Sequence, residues 1–291
     1  MRIKSFRWYG GKNRIVHILN ALIPSHSIYV EPFAGSAALL LNHPKSGQEI
    51  INDLDSDIAH FFATLADREK GKALVERLCN LEYGQEFFDS ALQAQKNQYK
   101  GLDEVEKAVV IYVIITQSYN TLRKSFGKGA FKDTYSYRAD IRFNIPLVYE
   151  RLQGVRVLNK NGIELLEQVI ENPTVFVFAD PPYRKDLRGK GADKAYAYEM
   201  SDNQQVHMLK VLQRAKCKVM LCGYRAEEGI DLYDKFLLPY GYKCYKVADV
   251  VKSCQNKKNR DVGHEFVWIN YQLPVYSKYI ISMKEYTSLV S

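Results

Sequence analysis

Tyr29-Val30-Glu31-Pro32-Phe33-Ala34-Gly35-Ser36-Ala37-Ala38-Leu39 is the stretch that decides the fold of this 291-residue chain. A short apolar strand runs into a turn of small residues, and an apolar helix begins directly after it. Small side chains let a ligand approach the backbone closely, and a helix start offers free N–H groups. This is the form of a nucleotide-type site at the first strand–helix turn of an open α/β sheet. The stretch is not a G-x-G-x-x-G fingerprint, so a nicotinamide cofactor is not expected. Gln48-Glu49-Ile50-Ile51-Asn52-Asp53-Leu54 follows as a second strand. Asp53 stands at its end, where an acid can bind ribose hydroxyls. The run Asp53-Leu54-Asp55-Ser56 also opens a helix, so Asp53 can equally be an N-cap, with Asp55 the other candidate for that role.

A third strand-and-turn lies at Thr174-Val175-Phe176-Val177-Phe178-Ala179-Asp180-Pro181-Pro182-Tyr183. The first six residues read as a buried strand. Two prolines fix φ and donate no backbone hydrogen bond, so the strand must stop there. What remains is a set of acceptors, the Asp180 carboxylate and a rigid carbonyl, beside the Tyr183 ring. Such a site suits a planar heterocycle with an exocyclic amine, whose hydrogens two acceptors can bind while the ring stacks. The bland alternative is a turn with a proline stop. At the N-terminus, Phe6-Arg7-Trp8-Tyr9-Gly10-Gly11-Lys12 sets aromatics beside two glycines and a lysine, suited to stacking and to a carboxylate contact. Read alone, it is an N-terminal turn.

In this order the motifs resemble those of the Dam-type, alpha-class DNA adenine-N6 methyltransferases. The matching positions are Tyr9 to Lys12, Glu31 to Gly35, Asn52-Asp53 and Asp180 to Tyr183. Met200-Ser201-Asp202 before a helix with His207 and Leu209, the strand Lys218 to Tyr224 and the strand His264 to Tyr271 continue the likeness. The family's turn often has a second glycine where Ser36 stands, and an acid where Asn161 stands; Asn161 keeps an amide oxygen as acceptor. The resemblance implies a Rossmann-like S-adenosylmethionine-dependent methyltransferase sheet, mostly parallel with about seven strands. It implies transfer of a methyl group to the N6 amine of adenine in double-stranded DNA, with the base flipped out of the duplex. Asp180, Pro181, Pro182 and Tyr183 are then the catalytic residues. Trp8, Tyr9, Lys12, Glu31, Phe33, Ala34, Gly35, Asp53, Asn161 and Asp180 are the expected S-adenosylmethionine contacts. A cognate restriction endonuclease is a compatible partner. The rival readings are a cytosine-N4 or RNA adenine methyltransferase, and a catalytically silent DNA-binding relative.

Composition agrees with this and excludes other classes. Apolar residues make up 46% of the chain, enough for a full core. The five cysteines form no C-x-x-C pair and the six histidines no ligand spacing, so no metal site is expected and the thiols read as reduced. No signal peptide is visible, and the longest apolar run, Ala108 to Ile115, is too short to span a membrane. A cytoplasmic setting, in a bacterial, archaeal or phage-infected cell, is the expectation.

The net charge of +8 is unevenly spread. Tyr119 to Arg142 holds six basic residues, Arg123, Lys124, Lys128, Lys132, Arg138 and Arg142, against two acids, interleaved with aromatics. Basic residues among aromatics and glycines, in a loop-like stretch, suit contact with phosphates and bases. Arg123, Lys124, Lys128, Lys132 and Arg138 are the candidate DNA contacts; as a bland alternative each patch is a solvated loop. Arg184 to Lys194 and Lys252 to Arg260 are further basic patches.

Strands are expected near 27–31, 48–52, 155–159, 174–179, 218–223, 243–251 and 265–271, with helices in most gaps. About a hundred residues separate the second strand from the third, too many for an ordinary crossover. The division expected is 1–60 and 144–291 for the catalytic domain, and 61–143 for an inserted helical target-recognition domain. Within it, helices are expected over 56–79, 85–98 and 103–118.

Overall fold

The computed structural model describes residues 2–188, 198–226, 228–251, 262–277 and 285–286. Along the chain, α1 (Val16–Leu22) leads into β1 (Ile28–Glu31), α2 (Ala38–Asn42) and β2 (Gln48–Asn52). Then come α3 (Ser56–Ala66), α4 (Arg68–Leu78), α5 (Gln85–Lys96), α6 (Glu104–Gln117) and α7 (Thr134–Leu152), ending at β3 (Arg156–Leu158). The rest alternates: α8 (Gly162–Val169), β4 (Val175–Ala179), α9 (Asp202–Leu212), β5 (Lys218–Tyr224), α10 (Leu232–Leu237), β6 (Lys243–Val251), β7 (Val262–Ile269) and β8 (Glu285–Tyr286). All seven strands expected from the sequence are present, and β8 is added to them.

Two compact units result. One takes residues 14–34, 43–54 and 160–291; the other takes 1–13, 35–42 and 55–159. The first holds the order β2-β1-β4-β5-β7-β6-β8. β2, β1, β4 and β5 run parallel, and β7 enters antiparallel to β5. Chain order turns around at β1, which has β2 on one side and β4 on the other. Ligands of such sheets sit at the carboxyl ends beside that reversal, which is where Glu31 and Asp180 stand. β4 is buried along its whole length, as expected for an apolar run covered on both faces. Trp268 of β7 fills the antiparallel half, fully buried, with its indole N–H donating to Asp234 at 2.8 Å.

The second unit is helical. Asp55 caps α3, accepting from the backbone N–H groups of Asp57 and Ile58, while Asp103 and Asp133 form capping boxes at α6 and α7. The caps correct the sequence reading at one place: the basic aromatic stretch is a loop only as far as Asp133. From Thr134 it is helix, because Asp133 and Ser136 satisfy each other's backbone N–H groups. A boundary at residue 143 therefore falls inside α7. The loop before it is closed by an antiparallel bridge between Ser118 and Phe126.

Tight packing of α4 rests on Gly71. A Cβ there would lie 2.5 Å from the Leu65 carbonyl oxygen and 2.7 Å from the Tyr149 ring. Helix propensity alone favours Gly71→Ala by about 1 kcal/mol. The clash should reverse the sign and destabilise by about 1–3 kcal/mol. A urea midpoint at or above wild type in the alanine variant would show that this packing yields freely.

Candidate active site

Within the sheet-bearing unit, the carboxyl ends of β1 and β2 and the segment before α8 are joined by one side chain. Asn52 is completely buried. Its amide nitrogen donates to the Pro32 carbonyl at 2.8 Å and the Lys160 carbonyl at 3.0 Å. Its amide oxygen accepts from the Lys160 backbone N–H at 2.9 Å. Its own carbonyl accepts from Ala34 N–H at 2.8 Å. The sequence reading named Asn52 within the Asn52-Asp53 motif but gave a role only to Asp53. The signal was a polar amide closing an apolar strand.

Around this clamp stand the expected cofactor residues of the unit. Glu31, at the end of β1, is 1% exposed and accepts from the Tyr29 hydroxyl at 2.6 Å. Asp53 is half-buried just past β2. The helix cap it was weighed against is made by Asp55. Phe33 lies against the start of α8, so close that a Cβ on Gly162 would meet its ring at 2.4 Å. Asn161 caps α8, its side-chain oxygen accepting from Ile163 N–H at 2.9 Å.

Asp180, half-buried, follows the fully buried β4. The turn behind it is pinned at two points. Gln205, 1% exposed, donates to the Pro182 carbonyl at 2.8 Å and accepts from the Tyr233 hydroxyl at 2.7 Å. The Tyr183 hydroxyl donates to the buried Glu265 at 2.7 Å, and its ring meets Tyr224 edge-on at 4.8 Å. Burial, with the negative charges of Asp180 and Glu265 beside it, holds the Tyr183 hydroxyl well above the ordinary tyrosine range. It remains a neutral donor. Deeper still, Asp231 caps α10 and pairs with Arg184, and Asp234 pairs with Arg225. Burial raises the Asp231 carboxyl above the usual carboxylate range. Sequence reasoning missed Gln205, Tyr233, Glu265, Asp231 and Asp234. A carboxylate before the apolar run Phe266–Ile269 was the available signal for Glu265.

In the helical unit, Trp8 packs on Gly35. A Cβ on Gly35, whose φ is +49°, would lie 2.7 Å from the indole nitrogen. A close approach to this glycine is made by Trp8, where the sequence led us to expect a ligand. Lys12 is buried and donates to the Gly10 carbonyl at 2.9 Å, and Tyr9 is half-buried.

The five expected DNA contacts divide into two groups. Lys124, Lys128 and Lys132 are exposed, beside Tyr119 and an 82% exposed Tyr135. Arg123 and Arg138 instead face protein. The Arg123 side chain is 13% exposed and pairs with Asp55 at 2.9 Å and Asp57 at 3.8 Å. Arg138 donates to the Leu81 and Asn80 carbonyls and pairs with Glu82, tying α7 to the turn between α4 and α5. In the basic patch after Tyr183, Arg184 pairs with Asp231 and Asp186, and the 4% exposed Arg188 side chain pairs with Glu199. Lys190, Lys194 and the patch 252–260 lie outside the described residues. Among the described residues no cluster of histidine, cysteine and acids is arranged to hold a metal, and no helix is long and apolar enough to cross a membrane.

Acids thus stand at the ends of β1 and β2, and an Asp-Pro-Pro-Tyr turn follows β4, at the carboxyl ends of the strands of an α/β sheet. The chain belongs to the D12 class N6 adenine-specific DNA methyltransferase family, whose model matches residues 8–252. It is 25% identical over 303 residues to the type II methyltransferase M.MjaIII of Methanocaldococcus jannaschii, covering 93% of this chain and all of that relative. It is 21% identical over 234 residues to the DNA N-6-adenine-methyltransferase of Escherichia phage P1. That match covers 78% of this chain and 30% of the phage protein.

The Asn52 clamp can be tested directly. Asn52→Ala removes three hydrogen bonds, and Asn52→Asp turns the donor of two of them toward the carbonyls as an acceptor. Both should lose about 2–4 kcal/mol of stability, since buried partners are left unsatisfied. An aspartate variant with a wild-type urea midpoint would refute the clamp.

Proposed function

We propose that this chain is a site-specific enzyme that methylates the exocyclic N6 amine of adenine in double-stranded DNA, using S-adenosylmethionine and a flipped-out base. The observation that carries the reading is the rigid Asp180–Tyr183 turn at the carboxyl end of β4, held by Gln205 and Glu265.

The residues present fit the cofactor. A half-buried acid past β2 suits ribose hydroxyls, and a buried acid at the end of β1 suits a cationic amine. On this reading Trp8, Tyr9, Lys12, Glu31, Phe33, Ala34, Gly35, Asp53, Asn161 and Asp180 hold S-adenosylmethionine. Bound there, the cofactor supplies a methyl group activated by a positive sulfonium. The protein's part is to prepare the amine. An adenine amine is a weak nucleophile because its lone pair is delocalised into the ring. Asp180 and the Pro181 carbonyl accept its two hydrogens, favour the pyramidal form and free the lone pair. Because Gln205 already occupies the Pro182 carbonyl, the neighbouring Pro181 carbonyl is the one assigned to the base. Tyr183 stacks as a neutral phenol, its ring fixed by the bond to Glu265. No covalent nucleophile is required, and much of the rate comes from positioning.

Residues 61–143 serve as the recognition insertion, with Lys124, Lys128 and Lys132 toward phosphate. The full-length likeness to a relative named a type II methyltransferase supports a role beside a cognate restriction endonuclease. Loss of the motif would have favoured a silent relative, but Asp180, Tyr183 and Gly35 are all retained. Labelled S-adenosylmethionine incubated with DNA, followed by identification of the modified nucleoside, tests the whole reading. N6-methyladenine is expected; N4-methylcytosine or no product refutes it.

Asp180→Ala should lower methyl transfer at saturating cofactor and DNA by at least about a hundredfold while circular dichroism stays unchanged. Tyr183→Phe keeps the stacking ring but strands a buried Glu265 oxygen, so it should cost about 1–3 kcal/mol of stability and less activity than Tyr183→Ala. A folded Asp180→Ala protein at near wild-type rate would reduce the motif to a turn.

For the DNA face, changing Lys124, Lys128 and Lys132 together to alanine should flatten the salt dependence of DNA binding. The expected change in log–log slope is about 0.9 per lost phosphate contact, or roughly 3 in total. An unchanged slope would move the DNA surface elsewhere.

A further inference from the structure

Arg123 sits in a part of the helical unit that the proposed function does not explain. It lies in the loop closed by Ser118 and Phe126, which also carries the exposed Tyr119 and Lys124. Three non-glycine residues of that loop have positive φ: Asn120 at 48°, Thr121 at 59° and Arg123 at 57°. For a β-branched residue such as Thr121 this is a strained backbone. The Arg123 guanidinium lies 5.1 Å from the centre of the Trp8 ring. On its other side it pairs with Asp55 at 2.9 Å, the residue that caps α3. Its Nη2 atom is buried without a hydrogen-bond partner among the described residues. Trp8 is therefore in contact with Gly35 and with Arg123 within one unit.

The geometry points to Arg123 as a positioning residue for Trp8, linking the recognition loop to the cofactor-binding motif. A strained loop and an orphaned buried donor are poor choices for a purely structural strut. They suit an element whose ligand-bound arrangement differs slightly from its resting one. Asp55 anchors the guanidinium, and the guanidinium holds the indole over Gly35. When Tyr119 and Lys124 engage DNA, Arg123 of the same loop is the residue that sets the Trp8 ring. Coupling of this kind is reciprocal, so the cofactor must then tighten DNA binding by the factor by which DNA tightens the cofactor.

This inference rests on Trp8 being a cofactor contact, and the test separates the two. S-adenosylhomocysteine is titrated by calorimetry into the full chain without DNA, for wild type and for Arg123→Gln, Arg123→Lys and Asp55→Asn. Loss of a cation–π contact on tryptophan should raise the dissociation constant of Arg123→Gln by about three- to thirtyfold. Arg123→Lys, which keeps a cation on the ring, should remain within about threefold of wild type. Asp55→Asn keeps the helix cap but removes the anchor charge, and should shift affinity in the same direction as Arg123→Gln by a smaller factor. It also carries the test if Arg123→Gln fails to fold. The salt slope of DNA binding should be unchanged in Arg123→Gln. Wild-type affinity in both Arg123→Gln and Asp55→Asn overturns the inference. So does a salt slope reduced by about one, which would make Arg123 a phosphate contact. Failure of the wild-type protein to bind S-adenosylhomocysteine would instead overturn the cofactor reading itself.

Discussion

The active end of the sheet depends on a single amide. Parallel strands give their carboxyl ends no hairpin to hold them together, so their turns must be joined by side chains. Asn52 does this with one donor nitrogen and one acceptor oxygen, reaching Pro32 and Lys160 from the end of β2. No other side chain of its size offers both donors and an acceptor from so short a stem. Aspartate has the shape but no donors, and glutamine would reach too far. The two acids proposed to hold the cofactor stand beside this clamp in the chain, Glu31 next to the tied Pro32 and Asp53 next to Asn52 itself. Their separation is therefore fixed before any ligand arrives.

The turn after β4 is held by a different device. Two consecutive prolines remove two backbone donors and leave carbonyls that must find partners elsewhere. Gln205 satisfies one of them, and Tyr233 satisfies Gln205 in turn. Glu265 and Tyr183 form a second bond across to β7. Asp231 and Asp234, with Arg184 and Arg225, continue the polar layer inward to Trp268. A polar layer this deep is costly unless its members are paired, and its stabilising role is indirect. It removes alternatives for the turn that follows Asp180.

Most of the fold could be read from the sequence because its strands are short apolar runs ending in turn residues, and several of its helices begin at aspartates. The motifs that mark the site were legible for the same reason. They stand at strand ends, where local chemistry and function coincide. What escaped was set by distant pairing. Gln205 looked like an ordinary helix residue and Glu265 like a strand residue, and each gained meaning from a partner many positions away. Glu265 also lies beyond residue 252, where the family match ends. Arg123 misled in the opposite sense. Its charge and its neighbours were those of a DNA-facing loop, but two acids, the buried Asp55 and the half-buried Asp57, had a prior claim on it. Charge counts along a segment cannot tell a cation aimed at phosphate from one aimed inward.

The long helix α7 has a consequence for how such enzymes diversify. One face of it carries the exposed Tyr135 and Phe143, while Tyr137, Ile141, Val148 and Leu152 are buried along the other. Pro146 stands in its later half and gives up one backbone hydrogen bond there. Substitutions on the exposed face touch little of the core, and such surface changes usually alter stability by only about half a kcal/mol. That face can thus drift through many sequences while the buried face goes on folding the same way. A lineage built on this scaffold is free to change the chemistry of that surface without first acquiring new stability.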